Sequence, residues 1–140
     1  MAERHKIIPA SYLILKKDNK ILLLRRYGTG YRDGEYSLIS GHVEKDESFS
    51  DTIVREAEEE ANIIIRKEDL KVLHVNNRPA ENYLDVYFTV DDWKGEIMNR
   101  EPDRCDDLSW YDVDDLPKNI LPNVMYVLSE LSSRFYSEYR

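Results

Sequence analysis

The sequence predicts an α+β fold, a mixed β-sheet flanked by two helices, and three observations lead there. Short runs rich in Ile, Leu, Val and Tyr, punctuated by turn residues, read as strands at 6–16, 21–26, 37–40, 70–75, 83–90 and 108–113. Two other stretches carry apolar residues at helical spacing, one over about 49–61 and one from 123 onward. The length of 140 residues, with 41% apolar and 34% charged side chains, suits one soluble domain that buries its own core without staples. That domain is expected to span 1–140.

The elements follow in order. Residues 6–16 form a strand with Pro9 near its start, where an entry or edge position tolerates it. Asp18 and Asn19 supply a turn, and 21–26 return, so the two runs are expected to make a hairpin. Residues 27–36, with Gly28, Gly30 and Gly34, read as a loop. A short strand at 37–40 delivers the chain to Gly41. Ser48, with Asp51 three residues on, resembles a capping box and starts a helix that runs to about Ala61. Strands at 70–75 and 83–90 flank a polar loop at 76–82. The second alternates Leu84, Val86 and Phe88 against Tyr83, Asp85 and Tyr87, and one of these faces is expected to look into a substrate cleft. His74 reads as a packed strand histidine. Residues 93–105 are irregular, and 108–113 form the final strand around Trp110 and Tyr111. Asn123, after Pro122, is the expected N-cap of a helix whose Val124, Val127, Leu128, Leu131 and Phe135 form a core-facing stripe. The tyrosine-rich tail (Tyr126, Tyr136, Tyr139) is the surface expected to serve a homodimer contact.

Composition excludes some classes of function. A formal net charge of −8 argues against a general nucleic-acid binder, which carries a basic surface. It leaves phosphate substrates open, because metal ions can bridge an acidic pocket to a polyphosphate. No apolar run is long enough to span a bilayer, and the N-terminus lacks a signal-peptide pattern. The single cysteine, Cys105, has no partner for an internal disulfide and reads as an ordinary loop residue; a reducing cytoplasm is the expected location.

The stretch 41–63 carries the chemistry. At about 100° per residue, Phe49, Ile53, Ala57 and Ala61 form one apolar stripe. On the same wheel Glu60 falls between Phe49 and Ile53, about 20° from Ile53. Glu56 and Glu59 flank it, while Glu58 and Arg55 point to solvent. Three like charges on the border of a buried face are costly unless a cation is held there. A solvated acidic face with ion pairs to Arg55 would account for Glu58 but poorly for Glu60, so a divalent-cation site is the better reading.

These residues resemble the signature of the Nudix family. Its box runs Gly41, Glu47, Arg55, Glu56, Ala57, Glu59 and Glu60 at the family's spacing, with Asn62 at the last glycine and Ile63 after it. The departures are Asn62, which can still end a helix in a left-handed conformation, and the small Ala57 at an aliphatic position. The resemblance implies an α/β/α sandwich, the Nudix fold, and divalent-metal-dependent hydrolysis of a diphosphate linkage in the manner of MutT-like pyrophosphohydrolases. It implies that Glu56, Glu59 and Glu60, with the backbone carbonyl of Gly41, hold Mg²⁺ or Mn²⁺, that Arg55 pairs with Glu47, and that one glutamate activates the attacking water. Glu101 is the candidate further base or ligand before the last strand, with Asp106 and Asp107 competing for the role.

Substrate contacts are drawn from outside the box. Arg25, Arg26 and Arg32 surround the glycine-rich loop, and contact with phosphate by at least one is expected. Asn119 lies where MutT-like members place a base-contacting asparagine, and turn chemistry accounts for it equally. Pro79 lies roughly where ADP-ribose-cleaving members carry a proline. The substrate expected is a nucleoside triphosphate or a nucleoside-diphosphate derivative; the alternatives are ADP-ribose or another conjugate, and a non-catalytic nucleotide-binding regulator.

Overall fold

The structure, a computed structural model, describes residues 2–140. Nine strands and two helices form along the chain: β1 (Ile8–Ile14), β2 (Lys16–Lys17), β3 (Lys20–Arg26), β4 (Tyr36–Ser37), β5 (Ile39–His42), α1 (Phe49–Ala61), β6 (Lys71–Arg78), β7 (Tyr83–Thr89), β8 (Cys105–Asp112), α2 (Pro122–Glu130) and β9 (Tyr136–Glu138). The strands make two sheets. A mixed five-stranded sheet has the order β5-β1-β7-β6-β9, and a second is built from β2, β3, β4 and β8 around β3.

Strand β1 shows why the layers stack as they do. Its run from Ala10 onward is buried on both faces, as the unbroken apolar sequence of a central strand requires. Ala10, Tyr12 and Ile14 pack into one core with Val124 and Val127 of α2. Leu13 points the other way, into a second core with Ile53, Ala57 and Ala61 of α1. The period of two in the strand thus deals alternate side chains to the two helices. The result is the expected α+β sandwich.

Several connections differ from expectation. The hairpin of 6–16 with 21–26 exists only as the two-residue β2 arm against β3. β1 itself leaves for the other sheet, where it pairs antiparallel with β5 and parallel with β7. The strand expected at 37–40 is likewise shared: Tyr36–Ser37 pairs with β3 and Ile39–His42 with β1, and fully buried Leu38 marks the hand-over. Asn76, Asn77 and Arg78 belong to β6 and pair with β7, so the polar loop shrinks to a tight turn. β8 is not the last strand, since β9 adds in parallel to β6 after α2. Helix α2 ends at Glu130, leaving Phe135 exposed outside it, and its N-cap is Leu121. Asn123 is instead a buried side chain of the first turn, because Pro122 already occupies the first helical position.

In the tail, the Tyr126 and Tyr139 rings pack 5.3 Å apart and the Tyr126 hydroxyl donates to the Glu138 carbonyl. His74 is fully buried, as expected, with its ring nitrogens against the Arg134 carbonyl (3.1 Å) and the Ser137 hydroxyl (2.6 Å). Among the described residues no helix is long and apolar enough to cross a membrane.

Candidate active site

Helix α1 is held at both ends by local chemistry. Ser48 accepts from the Asp51 N–H and Asp51 accepts from the Ser48 N–H, a complete capping box. At the other end Asn62 adopts a left-handed conformation (φ 64°), and its N–H reaches the Ala57 and Glu58 carbonyls. Asn62 therefore does the work the family signature assigns to a glycine.

Between these caps the carboxylates converge on β5. The Arg55 fork donates to Glu47 through Nε (2.8 Å) and Nη2 (3.0 Å). Its Nη1 donates to Glu56 Oε1 (2.7 Å) and Glu59 Oε2 (3.3 Å). The wheel placed Arg55 towards solvent; its side chain is only 26% exposed and folds back over the acidic cluster. A wheel locates the Cα, whereas a long stem lets the guanidinium choose its partners. Glu47 also accepts from the Thr52 hydroxyl and the Glu44 N–H, and the bonds from Arg55 first of all hold its carboxyl down at about 2. Bonding to Glu47 in turn raises Arg55 further above its already high range.

Glu60 has the opposite environment. The residue is half-buried, yet its carboxyl group is enclosed, and burial followed by the neighbouring Glu56 charge pushes it well above the ordinary carboxylate range. Its hydrogen-bond donor is the Ser40 N–H (3.3 Å), and the Glu56 carboxyl is its acidic neighbour. Gly41 is needed here for closeness rather than for unusual backbone angles: a Cβ at 41 would stand 2.5 Å from Glu56 Cδ and 2.7 Å from its Cγ. Glu101 lines the same cleft, and its carboxyl is raised by burial first and by the Glu56 charge second.

The loop bearing Glu101 is tied to the end of α1. The Ile64 and Lys94 backbones bond reciprocally (2.9 and 3.0 Å), Met98 N–H reaches the Ala61 carbonyl (3.1 Å) and Arg100 N–H the Glu60 carbonyl (3.3 Å). The Asn62 side chain adds a bond to the Glu96 carbonyl at 3.0 Å.

Among the described residues no three acidic, His or Cys side chains already stand in a ligating array, because Glu56 and Glu59 lean on Arg55 and Glu60 on Ser40. The donor set nonetheless fits a hard divalent ion. It is all oxygen, and Glu60 is an enclosed carboxylate whose nearest charged neighbour is another carboxylate, so a cation would relieve both.

The remaining expectations divide cleanly. The cleft, about 920 Å³, is lined by Gly41, Arg55, Glu56, Glu59, Glu60, Glu101 and Arg26, among others. Arg26 donates to the Tyr31 carbonyl (2.7 Å) and the Thr29 hydroxyl (3.0 Å). Arg25 and Arg32 lie outside it, committed to Asp106 (2.7 Å) and Glu35 (3.1 Å). They lie outside because β3 turns successive side chains to opposite faces and the loop ties Arg32 back on itself. Asn119 also lies outside: its amide donates to the Gly34 carbonyl (2.7 Å), so turn chemistry is what it does. Asp106 and Asp107 are likewise absent from the lining; Asp107 is taken by the Tyr36 and Tyr111 hydroxyls (2.7 and 2.5 Å).

Cleft residues not named as site residues from sequence include Arg104, Asn123, Arg78 and Tyr83, the last on one of the two strand faces expected to look into a cleft. Arg104, three residues past Glu101, makes no side-chain hydrogen bond or ion pair among the described residues, and its position in a charged loop was a usable signal. The other three come together only through strand register and the start of α2.

The chain is similar to known proteins in sequence and in fold. The NUDIX domain family model matches residues 6–131. The chain is 32% identical over 112 residues to the NAD-capped RNA hydrolase NudC of Photorhabdus laumondii, covering 80% of this chain and 42% of that protein. It is 30% identical over 107 residues to the ADP-ribose pyrophosphatase of Methanocaldococcus jannaschii, covering 75% and 62%. The chain therefore spans less than two thirds of the length of these curated relatives. In fold it is similar to the MutT NUDIX hydrolase of Burkholderia pseudomallei, with a TM-score of 0.81 at 24% identity over 91% of this chain and 99% of that one.

Proposed function

The chain belongs to the Nudix family, and on that premise we propose that it hydrolyses the diphosphate linkage of a nucleoside triphosphate or nucleoside-diphosphate derivative. The supporting observation is the acidic cluster itself. Glu56, Glu59, Glu60 and Glu101 face one cleft, with an enclosed carboxyl at Glu60 and a single arginine, Arg55, holding Glu56 and Glu59. The residues suited to hold a divalent ion are Glu56, Glu59, Glu60 and the Gly41 carbonyl. Mg²⁺, or Mn²⁺, would there supply charge neutralisation at the phosphoryl oxygens and acidify the attacking water.

The chain's own groups supply the rest. Arg55, fixed by its bidentate bond to Glu47, orients Glu56 and Glu59 and balances their charge. Glu101, with its carboxyl raised by burial, is suited to take the proton of the attacking water on a carboxylate oxygen. Arg26 and Arg104 contact the substrate's phosphate oxygens from β3 and the adjoining loop; they are neighbours, since Tyr27 N–H bonds the Arg104 carbonyl at 3.0 Å. The fold works as one domain in a reducing cytoplasm, where the free, buried Cys105 stays a thiol.

A second substrate reading, a nucleoside-diphosphate conjugate such as ADP-ribose, is favoured by the likeness to an ADP-ribose pyrophosphatase and by the extent of the cleft. A purely binding role has no observation of its own, because every box carboxylate is in place. Chromatographic detection of the nucleoside monophosphate product across a panel of nucleoside triphosphates and conjugates, with and without Mg²⁺, tests both readings. Glu60→Gln should cost about 100-fold or more in turnover while the protein still folds. Retained turnover in that variant would remove the metal-site assignment.

A further inference from the structure

Beyond the acidic cluster, the cleft contains a second built feature. Arg78 and Asp85 come from adjacent strands β6 and β7 and are 5% and 0% exposed in their side chains. The guanidinium clasps Asp85 through Nε (2.7 Å) and Nη2 (2.9 Å). Nη2 also donates to the Tyr12 hydroxyl (3.4 Å) and Nη1 to Glu81 (3.2 Å). Four of the five N–H groups are thereby consumed, and two carboxylates offset the charge. An arginine so occupied is not a phosphate ligand, although it borders the cleft. A buried ion pair also gives little stability that packed apolar residues would not give, so stability alone does not explain it.

What Arg78 does hold is an aromatic ring. Its guanidinium carbon lies 4.1 Å from the centroid of Tyr83, its partner across the β6–β7 pair. The Tyr83 hydroxyl is pinned at its other end to His42 Nε2 at 2.9 Å, and His42 follows Gly41 directly. Tyr83 is half-buried and lines the cleft, beside apolar Ala10, Leu38 and Leu121 and the Asn123 amide. A flat side chain backed on one face by a guanidinium and held at its hydroxyl by His42, the neighbour of Gly41, is a preorganised surface for stacking on its other face.

We propose that Tyr83 is the platform on which the planar ring of the substrate stacks, and that the Arg78–Asp85 pair is the device that positions it. The proposal rests on the diphosphate-hydrolase reading and names the part of the substrate that this end of the cleft recognises: an uncharged heterocycle of the nucleobase type, not a second phosphate or a carboxylate. Arg78 acts through Tyr83 and is a positioning residue.

The experiment compares two non-hydrolysable probes in Mg²⁺ by calorimetric titration: α,β-methylene-ADP and methylenediphosphonate, which share the diphosphate mimic and differ in the nucleoside. Tyr83→Leu should weaken α,β-methylene-ADP by about 5- to 150-fold, the range of one base–aromatic stack, and leave methylenediphosphonate within about twofold. Tyr83→Phe, which keeps the ring, should restore most of the affinity. Arg78→Lys keeps the charge but loses the fork, so it should weaken the nucleotide alone; it tests the same point without altering Tyr83 should the leucine variant fail to fold. Equal loss of both probes, or no loss of either, would overturn the platform. So would a wild-type protein that binds methylenediphosphonate as well as the nucleotide probe, and this outcome leaves the diphosphate site standing. A wild-type protein that binds neither removes the diphosphate site and the platform together.

Discussion

Replacing Gly41 by alanine is the most direct probe of how tightly the acidic cluster is built. The added Cβ would sit 2.5 Å from Glu56 Cδ, whereas ordinary contact begins at 3.4 Å, so the carboxyl group must retreat by about 0.9 Å. The obstructing atoms are the far end of a flexible side chain. The strain is therefore limited to an off-rotamer cost of about 0.5–1.5 kcal/mol, partly offset by about 0.4–1 kcal/mol from the stiffer unfolded chain. The melting temperature should move by no more than about 4 °C. Activity should respond very differently, because a misplacement of about 1 Å at a reacting centre costs on the order of 100-fold. Steady-state formation of the nucleoside monophosphate product at saturating Mg²⁺, run beside a thermal melt, separates the two quantities. A Gly41→Ala protein within about fivefold of wild-type turnover would refute the claim that close approach of Glu56 to β5 matters. A large loss of stability would refute the claim that only a side-chain tip is in the way.

Other perturbations test other parts of the molecule. Asp51 is held at about 2, first by the Ser48 N–H and then by Lys67, against about 3.9 in an unfolded chain. Its stabilisation is therefore present above about pH 4 and lost as the pH falls through 2, so wild type and Asp51→Ala should differ in melting temperature at pH 6 and converge near pH 2. Arg78→Met leaves the Asp85 charge buried and unpaired and should cost about 3–5 kcal/mol in urea melts, while adding Asp85→Leu should recover most of the loss. Asn62→Ala forces an ordinary residue into the left-handed region and removes the bond to Glu96, for a loss of about 1–2 kcal/mol by denaturant titration; Asn62→Gly should lose less.

The parts of this molecule legible in its sequence are those whose causes are local. The start and end of α1 follow from Ser48, Asp51 and Asn62, each acting within a few residues. The border position of Glu60 follows from helical periodicity alone. The sheet hand-overs were not legible, because the paths of β1 and β5 depend on what Leu13 and Leu38 bury against elsewhere in the chain. Arg55 was misdirected by the wheel for a related reason, since its fork is attracted by Glu47, eight residues back and just before the helix cap. The cleft arginines illustrate the same limit: Arg25 and Arg32 looked available until Asp106 and Glu35 were placed beside them, while Arg104 is left without such a partner. Asn119 and Asn123 differ by one helical turn in sequence, yet the first is spent on Gly34 and the second faces the cleft.

The stitching of residues 94–100 to the end of α1 has a consequence for how this fold can diversify. Met98 and Arg100 bond the last carbonyls of the helix, and the Arg104 and Cys105 N–H groups close onto the Glu101 carbonyl (2.8 and 2.9 Å), so Glu101 is held beside the glutamates from both sides. Exposed residues 102–104 begin after the last stitch to α1, and side-chain replacements there alter the cleft rim without disturbing the acidic cluster. The residues that shape the cleft rim and the bonds that fix Glu101 to α1 thus occupy separate pieces of one loop, joined at Glu101.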